Sequence, residues 1–447
     1  MTPDILLDAA QALVAAARRA GATAADAVGR ADRSQSVSVR LGALEDVDRS
    51  ESVDLGLRVF VGRRSASVSS ADVSAGAVRE LAERAVAMAR HAPEDPYAGL
   101  APEEKFARGP FPDLDIADDT DLSPQTLRER ASAVEDAALA VAGVANSEGG
   151  SAGASRSVAA LATSTGFAHA FEGTGHSLSA SVIAGEGAGM QRDHAARSTR
   201  HLADLPDPHE IGRLAGTRAV ARLDPGGLAG GPMPVVFDPR VSASLVGHLL
   251  GAMAAPAIAR RASFLLGRED ESLFPDDLSL VEDPLRPRGM RSRAVDGEGV
   301  ACRPRALVEN GRLIGWLTNV ASAAQLGLPL TGHAARGTGG APGVSPSNVD
   351  LVGGSGSVDD LIADIRDGVL VDYLIGQGVN GVTGDYSRGA AGRRIVNGRI
   401  EGPVAGFTIA GNLLDMWQGI RAAGDLETWR AVNAPTLRVD GMTVAGS

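Results

Sequence analysis

The spacing of apolar residues along this chain changes from helical to strand-like in an order that occurs twice. Residues from Pro3 to Ala20 place apolar side chains at helical spacing, and those from Asp26 to Asp72 alternate as strands do. A second helix is predicted after Ser123, a good N-cap followed by proline, and a second alternating region runs from Val144 to Ala195. This order predicts an α+β fold whose N-terminal half consists of helix-plus-antiparallel-sheet subdomains, consistent with a duplicated unit.

From Pro232 onward the pattern favours strands over helices. A strand and a helix open this region, and Asn310-Gly311 and Asn397-Gly398 each separate two alternating runs, as tight hairpins do. We also expect a helix over Ser357 to Asp367 and a pair of strands at the end of the chain. Such dense strand turnover predicts a β-rich C-terminal domain with a bent sheet or barrel. The chain then divides into regions 1–95, 120–228 and 232–447.

The charge of the chain argues against a nucleic-acid partner. Its formal net charge is −12 without a large basic patch, whereas phosphate binding needs clustered Lys and Arg. The N-terminal helix contains Asp4 and Asp8 and lacks the basic start of a signal peptide, and no apolar run approaches the roughly 18 residues that span a bilayer. With Cys302 as the one cysteine, we expect no disulfide, no membrane contact and a cytoplasmic location.

The helix after the strand Val235–Phe237 carries one histidine where a zinc peptidase would carry several ligands. His248 lies at helical spacing with Val241 and Leu245. A catalytic zinc takes three protein ligands, and a zinc peptidase also needs a glutamate as general base. The residues just before His248 provide neither. His248 is therefore either a remnant ligand position or, more simply, a helical histidine hydrogen-bonded near a cavity.

Three segments of the chain carry a family resemblance. They are the strand and helix from Pro234 to Leu266, the stretch VTGDYSRGA from Val382 to Ala390, and LRVDG from Leu437 to Gly441. These segments resemble the TldD/TldE (PmbA) family, known as modulators of DNA gyrase. TldD members carry an HExxxH helix and a C-terminal cysteine that bind zinc, and TldE members do not. Aligned on His248, the first histidine and the glutamate of that motif correspond to Ala243 and Ser244 here. The resemblance is therefore to TldE.

The resemblance implies a metal-free, non-catalytic TldE-type subunit of a TldD–TldE zinc metalloprotease heterodimer that processes or degrades unfolded or leader peptides. The zinc would belong to the TldD-type partner, and this chain would supply channel walls and peptide-binding surface with no cofactor of its own. A homodimer of the isolated chain also stays open, because both subunits would share one fold. Two alternatives remain: an autonomous metallopeptidase of this family, and a gyrase-associated regulator that acts by protein–protein contact.

Six residues are candidates for peptide binding. They are His248, His333, Asp385, Tyr386, Ser387 and Arg388. His333 lies in a Gly-rich loop, where it either contacts a peptide backbone or caps a turn. The run from Asp385 to Arg388 either offers a strand edge for β-addition of an extended peptide or forms a turn in which these two residues pair.

Overall fold

The structure, a computed structural model, describes residues 1–446. Within them the N-terminal half contains four α-helices and six strands. In chain order these are α1 (Pro3–Arg19), β1 (Ala24–Arg40), β2 (Ala43–Val61), β3 (Arg64–Ser70), α2 (Ala75–His91), α3 (Pro124–Leu139), β4 (Val144–Thr163), β5 (Ala168–Ala184), β6 (Gln191–Thr199) and α4 (Pro208–Val220). No helix in residues 1–446 has the length and apolar character needed to cross a membrane.

All six strands belong to one antiparallel sheet, in the order β3-β2-β1-β4-β5-β6. The central pair is β1 and β4, which run side by side from Asp26 opposite Thr163 to Val39 opposite Gly150. Each predicted helix-plus-sheet unit therefore contributes one three-stranded half of a single sheet. The α+β class is confirmed.

The strands of the second unit are longer than the sequence predicts. Four short strands are expected between Val144 and Glu186, whereas the structure has two, β4 with 20 residues and β5 with 17. The predicted break before Ser157 is wrong because the small residues there stay in the ladder, and the irregularity at Ser147/Gly149 is a bulge.

The helices cover one face of this sheet. Ala27 and Val39 of β1 lie an even number of residues apart and so point to the same face. Ala27 is buried beneath α1 and α2, and Val39 is buried beneath α3 and α4. The two helix pairs therefore lie side by side along the long strands, and the opposite face is left for other contacts.

The C-terminal region contains five helices and thirteen strands within the described residues. They are β7 (Gly231–Phe237), α5 (Pro239–Ala252), α6 (Ala255–Ala259), β8 (Ser279–Asp283), β9 (Arg305–Glu309), β10 (Arg312–Leu313), α7 (Val320–Leu326), β11 (Ala334–Ala335), β12 (Gly343–Val344), β13 (Asn348–Val352), α8 (Val358–Ile362), β14 (Asp367–Ile375), β15 (Asp385–Val396), β16 (Arg399–Asn412), α9 (Leu413–Gln418), β17 (Arg421–Ala422), β18 (Val432–Asn433) and β19 (Leu437–Ala445). Asn310 and Asn397 adopt positive φ values of 47° and 48° at the two predicted hairpin turns.

Five strands of this region close into a barrel. The order β16-β15-β14-β7-β19 is continuous, and β16 also pairs with β19. The pair β14 and β7 is parallel, and the other pairs of the ring are antiparallel. A second sheet, β10-β9-β8-β13-β18, shares the same hydrophobic core. The predicted bent sheet or barrel is thus a closed barrel.

Two predicted boundaries near the end of the chain are wrong. The helix expected over Ser357 to Asp367 is the shorter α8, because the chain has already entered β14 at Asp367. The two expected terminal strands are one strand, β19, with a bulge between Val439 and Met442. Gly441, at a φ of 72°, sits in that bulge, and a glycine of this kind also marks tight turns.

The uncovered face of the N-terminal sheet lies against the C-terminal region. Val28 and Leu161 pack with Val295. A Cβ atom on Gly56 would come within 2.3 Å of the Thr338 carbonyl oxygen, so the C-terminal loop can approach β2 closely only at a glycine.

A buried ionic cluster joins the two halves at the same face. Arg58 Nε donates to Asp26 at 2.8 Å, and a terminal nitrogen of Arg58 lies 3.3 Å from Glu298. Arg336 donates to the second Asp26 oxygen at 3.1 Å. Because these four side chains are buried, the contact holds two guanidinium groups and two carboxyl groups away from water.

Candidate functional site

Helix α5 positions His248 against the barrel. Asp238 caps the helix by accepting a hydrogen bond from the Arg240 backbone N–H at 2.9 Å, and a proline follows in the first turn. Leu245 and Leu249 are buried in the core. His248, one residue before Leu249, is half-buried at the border of that core.

The barrel strand β15 places its side chains alternately. Tyr386 and Arg388 are buried, whereas Asp385 and Ser387 are exposed. The Tyr386 ring lies edge-on to the His248 ring, with centroids 6.1 Å apart and an interplanar angle of 73°. Of the six predicted residues, the structure thus brings three together: His248, Tyr386 and Arg388.

The two rings present buried polar atoms that the rest of the protein leaves unpaired. Within residues 1–446, neither His248 Nε2 nor the Tyr386 hydroxyl has a hydrogen-bond partner. Buried polar groups are nearly always hydrogen-bonded, and an unpaired one costs about 1–3 kcal/mol. Both atoms are themselves inaccessible to solvent, and Tyr386 is 1% exposed, so a hydrogen-bonding ligand would reach them only if neighbouring groups moved aside.

The electrostatics of these three residues set their charge states. Burial lowers the pKa of His248, and the positive charge of Arg388 lowers it further. Burial also raises the pKa of Tyr386 to about 12, against the opposing effect of Arg388. At neutral pH this group therefore consists of a neutral imidazole, a neutral phenol and a guanidinium cation.

The backbone of the predicted peptide-binding segment is not free to accept an added strand. On one side Asp385 and Tyr386 pair with β16. On the other side, Ser387 N donates to the Gly378 carbonyl at 2.7 Å and Asn380 N donates to the Asp385 carbonyl at 2.9 Å. The prediction of β-addition here is wrong, because the segment is an interior part of a closed barrel.

The alternative pairing of Asp385 with Arg388 is also wrong. The two residues are three positions apart on a strand and so lie on opposite faces. Asp385 instead accepts hydrogen bonds from Thr383 at 2.6 Å and Asn412 at 3.2 Å, which lower its pKa. Arg388 donates to the Ile375 carbonyl at 3.4 Å. The exposed Ser387 lies on the same side as Asp385, away from the two rings.

His333 is a buried structural residue. Its side chain is 1% exposed and spans two partners, Glu282 at 2.6 Å and the Thr331 hydroxyl at 2.8 Å. Burial opposes ionisation of Glu282, but the hydrogen bond and charge of His333 lower the pKa of that carboxyl. Both ring nitrogens of His333 therefore already have hydrogen-bond partners, and a peptide could bind them only by displacing those partners.

The residues around His248 do not fit a zinc ion. One turn earlier on α5, Ala243 has no donor atom, and the Ser244 hydroxyl donates to the Val241 carbonyl at 2.6 Å. The charged neighbour is Arg388, a cation. No group of three His, Cys, Asp or Glu side chains that could hold a metal occurs anywhere in residues 1–446.

Two groups of charged residues carry no recognisable motif in the sequence. The first is the buried cluster of Asp26, Arg58, Glu298 and Arg336, whose members come from distant parts of the chain. Only the glycine inside β2, next to this cluster, signals a close contact. The second is a set of arginines around Trp429, which the fold brings together from β6, α4, α5 and the segment before β18.

Comparisons with known proteins agree with this architecture. Residues 25–89, 117–223 and 230–446 match domain 1, the central domain and the C-terminal domain of the PmbA/TldA metallopeptidases. The chain is 38% identical to Metalloprotease PmbA of Escherichia coli O157:H7 over 92% of this chain and 90% of that protein.

Solved structures have the same fold over their full length. A Bacteroides thetaiotaomicron protein named for modulation of DNA gyrase has a TM-score of 0.91 and 25% identity, with 100% of both chains covered. TldE from Thermococcus kodakarensis has a TM-score of 0.86 and 22% identity, with 98% of this chain and 100% of that chain covered. With a family match in all three regions and a relative at 38% identity, the chain belongs to the PmbA/TldD metallopeptidase family.

Proposed function

We propose that this chain is a TldE-type subunit of a two-subunit zinc peptidase, without a zinc ion or peptide-bond chemistry of its own. The observation that carries the proposal is the environment of His248. Where a zinc peptidase needs further ligands and a base, α5 has Ala243 and a serine bonded to its own helix, and Arg388 faces the imidazole. A cation beside the one candidate ligand disfavours a divalent metal there.

The role we assign to His248, Tyr386 and Arg388 is to bind a peptide. A neutral imidazole and a phenol can each donate or accept a hydrogen bond, and a peptide backbone offers both kinds of partner. Unfolded or leader peptides have unpaired backbone groups that could meet the two unpartnered ring atoms. Arg388 would add a charge-assisted contact to a carbonyl or carboxylate of the same peptide.

In this proposal the catalytic zinc and its base lie on a TldD-type partner. The two subunits would share one fold and enclose the peptide between them, with this chain forming part of the channel wall. The isolated chain would bind peptide weakly and cut none. Membership of a metallopeptidase family supports a proteolytic setting, and the residues of α5 support a non-catalytic share in it.

A second candidate function is an autonomous metallopeptidase. It is favoured by the 38% identical relative, which is named Metalloprotease PmbA. This function would require zinc ligands from residues that move together only when substrate or metal binds.

The deciding experiment compares the chain alone with the chain mixed with a zinc-bearing TldD-type relative. Zinc content is measured by elemental analysis, and activity is measured on casein and on an unfolded peptide. We expect neither zinc nor activity from the isolated chain, no more than background from the partner alone, and activity from the mixture.

Matched variants test the peptide-binding role in that assay. Tyr386→Phe should raise the KM of the mixture for peptide, whereas Ser387→Ala, one residue away on the exposed side of β15, should leave it unchanged. Stoichiometric zinc together with activity in the isolated chain, lost on chelation, would overturn the proposal in favour of the autonomous enzyme.

A further inference from the structure

An open cavity of about 530 Å³ lies where β6, the start of α5 and the segment before β18 meet. Its size falls within the range of about 300–1,000 Å³ that ligand pockets occupy. Five arginines line it, in a chain whose formal net charge is −12. They are Arg197, Arg218, Arg240, Arg291 and Arg430. A local excess of cations in an acidic protein needs a physical explanation.

Most of these arginines have no carboxylate as a salt-bridge partner. Arg240 is paired with Asp193 at 2.6 Å. Within residues 1–446, no carboxylate lies within 4.0 Å of the side-chain nitrogens of the other four cavity arginines. Burial lowers the pKa of Arg197 and Arg218, and in Arg218 the like charge of Arg240 adds to that effect. Glu427 acts on Arg197 in the opposite direction, as Asp193 and Asp238 do on Arg218, and these carboxylates offset the lowering of the pKa only in part.

Trp429 holds two of the arginines in place. The guanidinium carbons of Arg197 and Arg430 lie 3.7 and 3.8 Å from the centre of its ring. Stacking on an aromatic ring fixes the plane of a guanidinium and leaves its N–H groups free to donate. One terminal nitrogen of Arg197 is buried and has no acceptor in the described part of the chain. An unpartnered donor inside a cavity indicates a missing oxygen atom.

We propose that this cavity, the Arg197–Trp429–Arg430 pocket, binds the carboxylates of an acidic peptide segment. Planar guanidinium groups match carboxylates in two-point contacts, and several of them converge here within one recess. The proposal rests on the peptide-binding function above and extends it, because it assigns a charge preference to the bound peptide.

The surroundings favour a peptide over a nucleic acid. The Trp429 ring is already covered by two guanidinium groups, so it does not offer a free face on which a base could stack. The protein as a whole is acidic and would repel a long polyanion. A short acidic peptide segment can enter the recess without placing a long run of negative charges against that surface.

Helix α5 carries residues of both the pocket and the His248 group, which consists of His248, Tyr386 and Arg388. Arg240 lines the pocket from the first turn of α5, and His248 lies eight residues further along. Eight residues of helix span about 12 Å, which an extended peptide covers in about four residues. A peptide held in the pocket by an acidic residue would need about four further extended residues to cover the distance along α5 to His248.

The test measures binding to the isolated full chain, without a partner and without proteolysis, so that its result is independent of catalysis. The probe is a fluorescein-labelled Glu-rich peptide followed by anisotropy, with a Lys-rich peptide of equal length for comparison. We expect the acidic peptide to bind and the basic one not to bind. Arg430→Ala and Arg291→Ala should each weaken binding by about tenfold, the size of one charge-assisted pair.

Controls separate the pocket from general charge and from misfolding. Arg84→Ala removes an exposed cation of α2 far along the chain and should bind as wild type does. Arg197→Lys keeps the charge but not the planar stack, and should weaken binding while melting as wild type does. Equal binding by the Arg430 and Arg84 variants would overturn the proposal. So would tighter binding of inorganic phosphate or of a short single-stranded oligonucleotide, lost in the same variants.

Discussion

At the scale of single residues, His248 and Tyr386 place buried polar atoms where the described part of the chain gives them no hydrogen-bond partner. Core side chains such as Leu245 and Leu249 are chosen for packing, and a histidine and a tyrosine with unpaired polar atoms are poor choices for stability. Residues that reduce stability in this way are typical of functional sites. Mutation can therefore separate the contribution of a residue to the free energy of unfolding from its contribution to binding.

Tyr386→Phe tests that separation directly. Because the hydroxyl has no partner within the described chain, its removal should leave the free energy of unfolding unchanged or raise it by up to about 1 kcal/mol. Peptide binding should weaken in the same variant. Urea denaturation and peptide anisotropy give the two values, and Ser387→Ala serves as the control on the exposed side of β15. A loss of stability above 1 kcal/mol would mean that the hydroxyl has a structural partner.

His248 should titrate below the ordinary range for histidine. Burial is the main cause, and the Arg388 charge is the second, so Arg388→Met should raise the pKa of His248 and Arg388→Lys should preserve it. Because the folded-state pKa is depressed, this histidine favours the folded state above its unfolded pKa near 6.5, and that contribution is lost as the pH falls. NMR titration, with His248→Gln to assign the signal, measures the shift. An identical pKa in the methionine and lysine variants would show that Arg388 has no electrostatic effect on the imidazole.

The sequence indicated some of these residues better than others. The motif segment led to Tyr386 and Arg388, and helical spacing led to His248. The alternation of a strand explains why Asp385 and Ser387, equally prominent in the motif, lie on the other side. His333 could not be judged from a Gly-rich loop, since Glu282 approaches it from another strand, 51 residues earlier. Contacts of this kind depend on the folded arrangement and leave no local pattern.

At the scale of elements, the types of structure were predictable and the lengths of the strands were not. Caps at Ser123 and Asn-Gly turns have local causes, and both appear where the sequence predicts them. Small residues inside β4 resemble a break because glycine and serine also form turns. In the folded protein these residues stay in the ladder, because helix α3 packs closely on them: a Cβ at Gly150 would lie 2.3 Å from the Ala131 carbonyl oxygen.

The ionic cluster between the N-terminal sheet and the C-terminal region should make stability depend on pH. Burial raises the pKa of Glu298 to about 7, although Arg58 and the Val320 backbone N–H oppose the shift. A carboxyl with a raised pKa stabilises the folded state below its unfolded pKa near 4.5, and that contribution is lost as the pH rises through about 7.

Glu298→Gln should remove this pH dependence. Relative to wild type, the variant should gain roughly 1–3 kcal/mol in its free energy of unfolding between pH 5 and pH 8, because the amide carries no charge to desolvate. Urea denaturation at the two pH values measures the change, and Glu186→Gln, an exposed carboxyl on the loop before β6, is the control. A parallel pH profile in the wild type and the Glu298 variant would contradict a buried, protonatable Glu298.

At the scale of the whole molecule, the chain has the domain architecture of a metallopeptidase family, and its helix α5 does not carry the HExxxH pattern. Helix α5 packs on the barrel core, and Ala243 and Ser244 lie where the resemblance implies the first ligand and the base. A fold supports such a loss easily, because packing depends on residues such as Leu245 and not on metal ligands. In the proposed function, this chain would keep its binding walls and its partner contacts while catalysis takes place on the other subunit.

The consequence for the whole chain is that zinc should not stabilise it. A ligand that binds only the folded state raises the melting temperature in proportion to its concentration and affinity, and a chelator reverses that rise. We expect excess zinc to leave the melting temperature of this chain unchanged or to lower it slightly through the unfolded state, and a chelator to have no effect. A zinc-bearing TldD-type relative, melted under the same conditions, should lose stability on chelation. A rise in melting temperature with zinc that disappears in His248→Ala would indicate a metal site on α5. It would favour the autonomous metallopeptidase.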